Sequence, residues 1–440
     1  MKTLTLVLIS VPLALLLFMT TAPTAKADPD WWDSNWQYRR PITITGEHPE
    51  NYQIKIVIPY DSDMKSDYSD LRFTENETGP LLSYWIENYT ADNATVWVRR
   101  IDNTQQDIDN VIYVYYGNPT ATSMSNPENT MLWWDDFSTD TSANYQVLSG
   151  SWTWDTANGF LICTSSGRLL LRDLTIDNVE VVGDFLQNQW STGVLLRYQD
   201  LNNHYHFSCD PTGSSPNSQI GKRVNGDYST LVTGAYPPSG TWTKWTIRAY
   251  GSTLYFKNGD YGTLNTNDTT FTSGEVALLG DVGDTKYYDN LVIRKYTSPE
   301  PTVTVGAEER ALPTQPTPYL LINGVCTNDN TPYFEWENGS NADNHRLLID
   351  NDPDFSSPNE NKVIVNDNSY TIPDENSLPD DNYSWKVVAV NASGETSSST
   401  WTFIVDTLPP LAPSLSSPSD NSGTSDQTPT FSWSGSDNTS

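Results

Sequence analysis

The sequence predicts an all-β protein built from tandem β-sandwiches that follow a signal peptide. Short runs of Val, Ile, Thr, Tyr and Trp alternate with polar residues, and Gly, Asn, Asp and Pro interrupt them. This alternation is typical of strands with one buried face, and helical periodicity is nearly absent beyond the leader. Gln53–Pro59 is an example, because Ile54, Ile56 and Ile58 fall on one side of it. A chain of 440 residues suits about three such domains.

Residues 1–27 have the pattern of a secretory signal peptide. Lys2 precedes an apolar run from Leu4 to about Met19, and Ala25-Lys26-Ala27 supplies a small-x-small cleavage site. A retained membrane anchor is the alternative, because an apolar run of this length nearly spans a bilayer. Both alternatives export the rest of the chain, so we expect a secreted or cell-surface protein.

The composition is strongly acidic. Asp and Glu total 55 against 24 Lys and Arg, which gives a formal net charge of −31. Such a surface repels nucleic acid and anionic lipid, and no block of basic residues offsets it. We therefore expect no nucleic-acid partner, and membrane attachment only through the signal segment or through a C-terminal anchor in a longer chain.

Three cysteines occur, Cys163, Cys209 and Cys326. An odd number this small does not make a disulfide framework, even in an exported protein. No Cys or His pair has the spacing of a zinc site. We expect all three thiols to be buried as small apolar side chains.

Residues 28–130 form the first predicted domain, a β-sandwich. Its landmarks are Arg39-Arg40-Pro41, Asp70-Leu71-Arg72-Phe73, Tyr84-Trp85-Ile86-Glu87, Val96-Trp97-Val98 and Val114-Tyr115-Tyr116-Gly117-Asn118-Pro119. Together these motifs resemble a domain family of unknown function found in archaeal and bacterial surface proteins. The resemblance implies no activity, and it implies that lectin-like or immunoglobulin-like modules follow.

Residues 131–310 form the second predicted domain. Its landmarks are Trp133-Trp134-Asp135-Asp136-Phe137, Gly193-Val194-Leu195-Leu196-Arg197-Tyr198, Gly240-Thr241-Trp242-Thr243-Lys244-Trp245 and Tyr288-Asp289-Asn290-Leu291-Val292-Ile293-Arg294. Their order resembles the concanavalin A-like, laminin-G-like jelly roll that includes lectins, glucanases and keto-sugar hydrolase domains. The resemblance implies two antiparallel sheets, one of which presents a face that holds sugars.

A sugar site needs an aromatic platform and a few polar side chains that fix hydroxyl groups. Such side chains gather around one predicted hairpin of the second domain. The candidate carbohydrate-binding residues are Trp190, Arg197, Asp200, Asn203, His204 and His206. Ordinary strand surface or core is the alternative interpretation of each.

Strand alternation predicts which way these side chains point. If Leu196 faces the core, then Arg197 faces the opposite side of the sheet. On the next strand His204 and His206 share a face, opposite Tyr205. Two histidines on one strand face are also a possible metal pair, but the sequence offers no third ligand.

Hydrolysis is the weaker alternative for this domain, and we assign no catalytic residues. A retaining glycosidase needs two carboxylates about 5 Å apart across the scissile bond. Laminarinase-type relatives place them in E-x-D-x-x-E on one strand, whereas this chain offers only Glu180 and Asp184, without the intermediate acid. We therefore expect a protein that is not an enzyme.

Calcium is the remaining ligand candidate, and no cofactor is required. Asp135 and Asp136 open the second domain, and Asp289 and Asn290 lie on its closing strand. In a jelly roll these two ends lie side by side, and hard oxygen ligands there would suit calcium. Asp-rich turns are also common without a metal.

Beyond a Pro- and Thr-rich linker at 311–318, residues 319–406 resemble immunoglobulin- or fibronectin type III-like repeats, on the short strands around Trp336, Trp385 and Trp401. Thr331–Trp336 recurs as Thr428–Trp433, 97 positions later, so 407–440 is the start of a second repeat. A third of a sandwich cannot bury a core, and we expect this segment to belong to a longer array.

These features predict a multidomain surface protein that binds an extracellular polysaccharide or surface glycan through its second domain. A structural or adhesive stalk with protein partners is the alternative. N-x-S/T sequons, which are acceptors for glycosylation, support exposure to the exterior. The candidate glycosylated residues are Asn76, Asn88, Asn93, Asn267, Asn338, Asn382 and Asn391.

Overall fold

The protein is described here by a computed structural model that covers residues 31–101, 110–187, 191–211, 217–281 and 285–435. In these ranges nearly all regular structure is β, arranged as successive β-sandwich domains, which confirms the predicted fold class. The predicted signal peptide lies outside the described residues. None of the helices in the described ranges has the length and apolar character that crossing a bilayer requires.

The first domain packs two sheets around a core of alternating apolar residues. Its elements are β1 (Tyr38–Thr45), β2 (Gln53–Pro59), β3 (Arg72–Thr74), β4 (Ser83–Tyr89), β5 (Asn93–Arg99), β6 (Val111–Tyr116) and α1 (Pro127–Thr130). One sheet contains β1, β6 and β3 in that order, and the other has the order β2–β5–β4. Ile54, Ile56 and Ile58 are buried while Lys55 and Val57 are exposed, as the alternation predicts.

The second domain is a larger sandwich of the same kind. Its strands are β7 (Trp133–Asp135), β8 (Tyr145–Ser149), β9 (Trp152–Asp155), β10 (Phe160–Cys163), β11 (Gly167–Ile176), β12 (Val179–Gln187), β13 (Thr192–Asp200), β14 (Asn203–Asp210), β15 (Asn217–Val224), β16 (Asp227–Gly234), β17 (Thr241–Tyr250), β18 (Thr253–Asn258), β19 (Gly262–Asn267), β20 (Gly274–Gly280) and β21 (Lys286–Lys295). The β12 sheet has the order β19–β18–β17–β12–β21–β10–β9, with β7 beside β21. The β13 sheet has the order β16–β15–β14–β13–β20–β11–β8. One apolar core, which includes Phe185, Tyr205 and Trp245, fills the space between them.

Two further strands, β22 (Thr302–Val305) and β23 (Glu309–Arg310), return to the first domain. Ile42 of β1 pairs with Val305, and Arg39 pairs with Glu309. We predicted that residues 131–310, which include these two strands, form the second domain. The structure differs, because Val303 and Val305 pack against the first-domain core. The second domain is therefore inserted into the first and is joined to it by two crossings of the chain.

The third domain is also a β-sandwich. Its strands are β24 (Thr317–Leu320), β25 (Val325–Thr327), β26 (Tyr333–Glu337), β27 (Asn344–Asp350), β28 (Glu360–Ile364), β29 (Ser369–Thr371), β30 (Asp381–Asn391), β31 (Gly394–Ser397) and β32 (Trp401–Val405). The sheet β24–β26–β29 faces the sheet β25–β32–β30–β27–β28, with β31 beside β30. Its assignment to immunoglobulin- or fibronectin type III-like repeats stays a prediction.

The partial repeat forms only a ribbon of β33 (Ser414–Ser417) and β34 (Ser432–Ser434). Trp433 is 64% exposed, whereas Trp336, its counterpart 97 residues earlier, is fully buried. The same motif thus packs in the complete domain and stays open where partner strands are missing from the described chain.

The cysteine expectation holds for two of the three residues. Cys163 and Cys209 are free thiols buried in the second-domain core. The expectation was wrong for Cys326, which is exposed on β25, because this short strand at the sheet edge turns that side chain to solvent.

Candidate functional site

The outer face of the β13 sheet, which is the face turned away from the second-domain core, carries the candidate site. Two histidines and two tyrosines form a continuous row of rings on this face. Tyr198 lies on β13, the histidines lie on β14, and Tyr228 lies on the edge strand β16. Tyr198 stacks on His204 at 5.7 Å between ring centroids, His204 lies 6.4 Å from His206, and His206 meets Tyr228 at 5.4 Å. With Arg168, Gln219 and Arg223, these side chains make up what we call the histidine face.

An apolar floor lies beneath the row of rings. Leu170, Leu195, Ala277 and Leu279 form a buried cluster on this outer face, separate from the domain core. Gly221 on β15 leaves the space that Tyr228 occupies, since a Cβ there would lie 2.4 Å from the Tyr228 hydroxyl oxygen. This cluster is covered, as are Tyr198 and His204, so Tyr228 at 39% exposure is the most accessible ring of the row.

The alternation of β14 is as the sequence predicts. His204 and His206 point to the outer face, and Tyr205 and Phe207 point into the core. Burial lowers the pKa of His204, and it lowers the pKa of His206 to about 3. Both imidazoles are therefore neutral at neutral pH, and each ring has one N–H donor and one acceptor nitrogen.

The hydrogen bonds of the two rings differ. Nδ1 of His204 donates to the Asp200 carbonyl at 3.1 Å, which leaves its Nε2 as an acceptor. Nε2 of His206 is buried and makes no hydrogen bond within the described part of the chain. An unmatched buried polar atom costs about 1–3 kcal/mol, so this nitrogen is an unsatisfied polar group beneath the surface of the face.

Arg197 lies on the opposite side from the one predicted. The β13–β20 register shifts between Leu195 and Tyr198, and this β-bulge brings Tyr198 to the outer face. Arg197 is 2% exposed and donates to the carbonyls of Asp177, Gly251 and Phe271, at 2.7–3.1 Å. It ties three loops together at one end of the sandwich, which corrects its assignment as a sugar-binding residue.

The remaining predicted sugar residues lie at the edge of the face or outside the described chain. Asp200 and Asn203 close the β13–β14 hairpin, and the Asn203 amide donates to the Asp200 carboxylate at 3.0 Å. They shape the rim next to His204, and their carboxylate and amide remain reachable from solvent. Trp190 lies outside the described residues.

Sequence reasoning missed Arg168, Gln219, Arg223 and Tyr228. A local signal existed for two of them, because Asn225-Gly226 is a strong hairpin signal. A turn at that dipeptide pairs Arg223 with Tyr228 across β15 and β16, as the register shows. Arg168 could not be found this way, because β11 reaches the face only through its long-range pairing with β20.

A cavity of about 260 Å³ lies between the first two domains, apart from the histidine face. Trp85 and Trp97 of the first domain and Trp134, Lys244 and Asn290 of the second domain contribute to its walls. Arg294 lies 4.9 Å from the Trp97 ring centroid and closes one end. The cavity shows that the two domains share a packed polar and aromatic interface.

Glu180, one of the two carboxylates weighed for hydrolysis, belongs to this interface. Its oxygens lie 2.5 Å from Nε of Arg248 and 2.7 Å from Nε of Arg294. Asp184 instead pairs across the sheet with Asp289 and accepts a hydrogen bond from Asn290 at 3.1 Å. Two arginines thus hold the Glu180 carboxylate in place, and Asp184 has a separate set of contacts.

The calcium candidates come from strands that are neighbours, as expected. β7 pairs with β21, and Asp135 lies opposite Leu291. The Asp135 side chain turns inward and accepts from Phe137 N, Thr141 Oγ1 and Tyr145 Oη at 2.6–2.8 Å.

Among the described residues, three acidic side chains have oxygens within 4.8 Å of one another, those of Asp61, Asp63 and Glu308. The described side chains of Asp135, Asp136 and Asp289 do not form such a group. Asn290 donates to Asp184, and calcium binding by this set stays a prediction.

The predicted glycosylation sites differ in accessibility. Six of the seven are exposed or half-buried in the structure. Asn391 is 7% exposed, and its amide nitrogen donates to the carbonyls of Ala311 and Asn341. This corrects Asn391, because the nitrogen that a glycan would modify is already used inside the folded chain.

A family model described as a domain of unknown function (DUF2341) matches residues 67–157, which cover the end of the first domain and the opening strands of the second. No curated protein matches the chain. The fold and the site define the class as a tandem β-sandwich protein with one polar, aromatic sheet face.

Solved structures similar to parts of this fold include proteins that act on or bind sugars. Carbohydrate-binding module CBM66 from Bacillus subtilis is 16% identical, covers 34% of this chain and 96% of its own, and has a TM-score of 0.31. A GH43 protein from Bacillus licheniformis is 12% identical, covers 60% of this chain and 64% of its own, and also has a TM-score of 0.31. An agglutinin from chicken liver is 15% identical, covers 29% and 98%, and has a TM-score of 0.20. These likenesses assign no ligand to this chain.

Proposed function

We propose that this protein binds carbohydrate on the histidine face of its second domain. The observation that carries the proposal is the row of four rings, two of them neutral imidazoles, above a buried apolar floor. Sugar rings have apolar faces that pack on exposed aromatic rings such as Tyr228, which is 39% exposed. The neutral imidazole of half-buried His206 lies beside it. Gln219 adds an amide to the same face and accepts from the Tyr228 hydroxyl at 2.9 Å.

A glycan array probed with the full chain tests this proposal, followed by calorimetry on the glycans that bind. Replacing Tyr228 or His206 with Ala is expected to weaken binding about tenfold or more, which corresponds to about 1.4 kcal/mol. Tyr261 is the matched control, because it is 42% exposed against 39% for Tyr228 and lies at the end of the β12 sheet. Absence of binding, or equal binding by all variants, would refute the proposal.

The alternative function is a structural or adhesive stalk. The two chain crossings between the first and second domains support it, because together with the hydrogen bond from Arg294 to Tyr52 they fix the relative position of these domains. A stalk needs no ligand on the histidine face. If the full chain binds no glycan in any condition but adheres to a protein partner, this alternative would be favoured.

We also propose that the chain works outside the cytoplasm, at the cell surface or in the medium. The leader at 1–27 and the exposed sequons support this location. Mass spectrometry of the exported protein tests it, and a mature N-terminus at Asp28 is the expected result. An intact leader in cytoplasmic protein would contradict it.

A further inference from the structure

We infer that the glycan bound by the histidine face is acidic and carries carboxylate or sulfate groups. The inference rests on the proposed function and names the ligand class of the same site. Its basis is a local excess of positive charge. The chain has a formal net charge of −31, yet Arg168 and Arg223 both lie on this one face.

Within the part of the chain that the structure describes, the guanidinium groups of Arg168 and Arg223 donate to backbone carbonyl oxygens, which are uncharged. Nη1 of Arg168 donates to the carbonyls of Gly167 and Gly280 at 2.8 and 3.3 Å. Nη1 of Arg223 donates to the Gly226 carbonyl at 3.4 Å. Within the described residues neither arginine has a carboxylate oxygen within 4.0 Å, so neither charge is matched by an ion pair.

Three other buried arginines of this protein are paired with carboxylates, whereas buried Arg72 donates to the carbonyls of Leu71 and Thr122. Arg39 lies 2.7 Å from Glu309, Arg100 lies 2.9 Å from Glu75, and Arg294 lies 2.7 Å from Glu180. Arg197 lacks a carboxylate, but it is 2% exposed and its donors are used by three loops. Arg168 and Arg223 remain half-buried at the surface, where a ligand can reach them.

The groups on the face affect one another as like charges do. After burial, Arg168, His204 and Arg223 all lower the pKa of His206, and Arg223 lowers the pKa of Arg168. Asp281 opposes this effect at Arg168, and Asp200 and Glu275 act on Tyr198 at the other end. Arg168 and Arg223 therefore place two positive charges on this face, which attract an anion in spite of the acidic surroundings.

Arginine suits this task because its planar fork binds carboxylate and sulfate oxygens in pairs. Tyr228 and the half-buried His206 would contact the sugar ring and its hydroxyl groups. Arg168 on β11 and Arg223 on β15 lie on the same face of the sheet, on either side of β13 and β14. A uronic-acid polymer and a sulfated polysaccharide present the same chemistry to these two residues.

The test compares three polysaccharides of similar length on the full chain: a neutral hexose polymer, a polyuronate and a sulfated polymer. We expect the neutral polymer to bind at least about tenfold more weakly than an acidic one at low salt. Raising NaCl from about 20 to about 200 mM should weaken only the acidic interaction, since screening acts on charges. Whichever acidic polymer binds more tightly identifies the anionic group.

Variants separate charge from fold. Arg168→Gln and Arg223→Gln should each weaken acidic-glycan binding about tenfold and leave any neutral-glycan binding within about twofold. Arg172→Gln is the matched control, because Arg172 is exposed on the same strand, and its Nε bonds to the Tyr145 carbonyl at 2.7 Å. Melting curves check that all three variants fold.

The outcomes distinguish this inference from the proposed function. Equal binding of neutral and acidic polymers would overturn the inference and leave carbohydrate binding in place. Equal loss of both ligands in the Gln variants would also overturn it, because the arginines would then act through structure. Binding of no glycan of any kind would overturn both.

Discussion

Arg294 of the second domain donates a hydrogen bond from Nη1 to the hydroxyl of Tyr52 in the first domain, at 3.1 Å. The same guanidinium lies 2.7 Å from Glu180 and 2.6 Å from Glu300. One side chain therefore joins the β12 sheet to the first domain. Because the chain also crosses twice between these domains, the cavity between them and the histidine face belong to one folded unit.

Arg294→Met should destabilise the protein by about 3 kcal/mol or more, because it leaves Glu180 buried with one arginine instead of two. Calorimetric melting of the full chain would measure this as a lower unfolding temperature for the joined first and second domains. Arg346→Met is the control, since its ion pair with Glu395 is exposed at the surface and such pairs contribute about 0–1 kcal/mol. Equal effects of the two substitutions would contradict the prediction.

Replacing Val303 and Val305 with Asp should destabilise the first domain by about 3 kcal/mol in total, because both side chains pack against its core. Hydrogen exchange of β1 and β6 should accelerate, while exchange in the β13 sheet should change little. Thr302→Asp with Thr304→Asp is the matched control on the same strand, at its exposed positions. If β22 belonged to the second domain, the exchange pattern would be reversed.

Asp289→Asn should stabilise the protein at neutral pH. Burial, followed by the charges of Asp184, Asp136 and Asp135, raises the pKa of Asp289 to about 6. The folded state therefore holds this proton more tightly than the unfolded chain, and stability is lost as pH rises from about 4 through about 6. Urea unfolding should show the variant more stable than wild type at pH 8 and equal to it near pH 3.5.

Asp268→Asn should show the opposite pH dependence. Hydrogen bonds from Lys222, Thr270 and Tyr205 outweigh burial and lower the pKa of Asp268. Its stabilising contribution is therefore fully present above about pH 4, the unfolded value, and is lost as pH falls through the lowered pKa. The variant should lose stability at pH 7 and approach wild type in strong acid. The same sign for both Asn variants at pH 8 would contradict these assignments.

Local patterns predicted the elements of the fold well. The alternation in β2 and β14 placed Ile54 on a buried face and put His204 and His206 on one shared face, opposite Tyr205. Both follow from the two-residue period of a strand, which needs no information from elsewhere in the chain. The neighbouring positions of β7 and β21 followed from the resemblance to jelly rolls.

Longer-range features were not predictable in this way. A single bulge at Arg197 reversed the side to which that arginine points and brought Tyr198 to the histidine face, because one extra residue changes the alternation beyond it. Sequence spacing does not reveal such a bulge, since its position depends on the partner strand.

The sequence by itself determined the all-β class, the strand at Gln53–Pro59 and the shared face of the two histidines, because these depend on neighbouring residues along the chain. Only the tertiary structure decided that β22 closes the first domain, that Arg197 is internal, and that Arg168 and Arg223 flank the same face. The physical reason is that sheet pairing joins residues far apart in sequence, and the core into which a strand fits selects its partner.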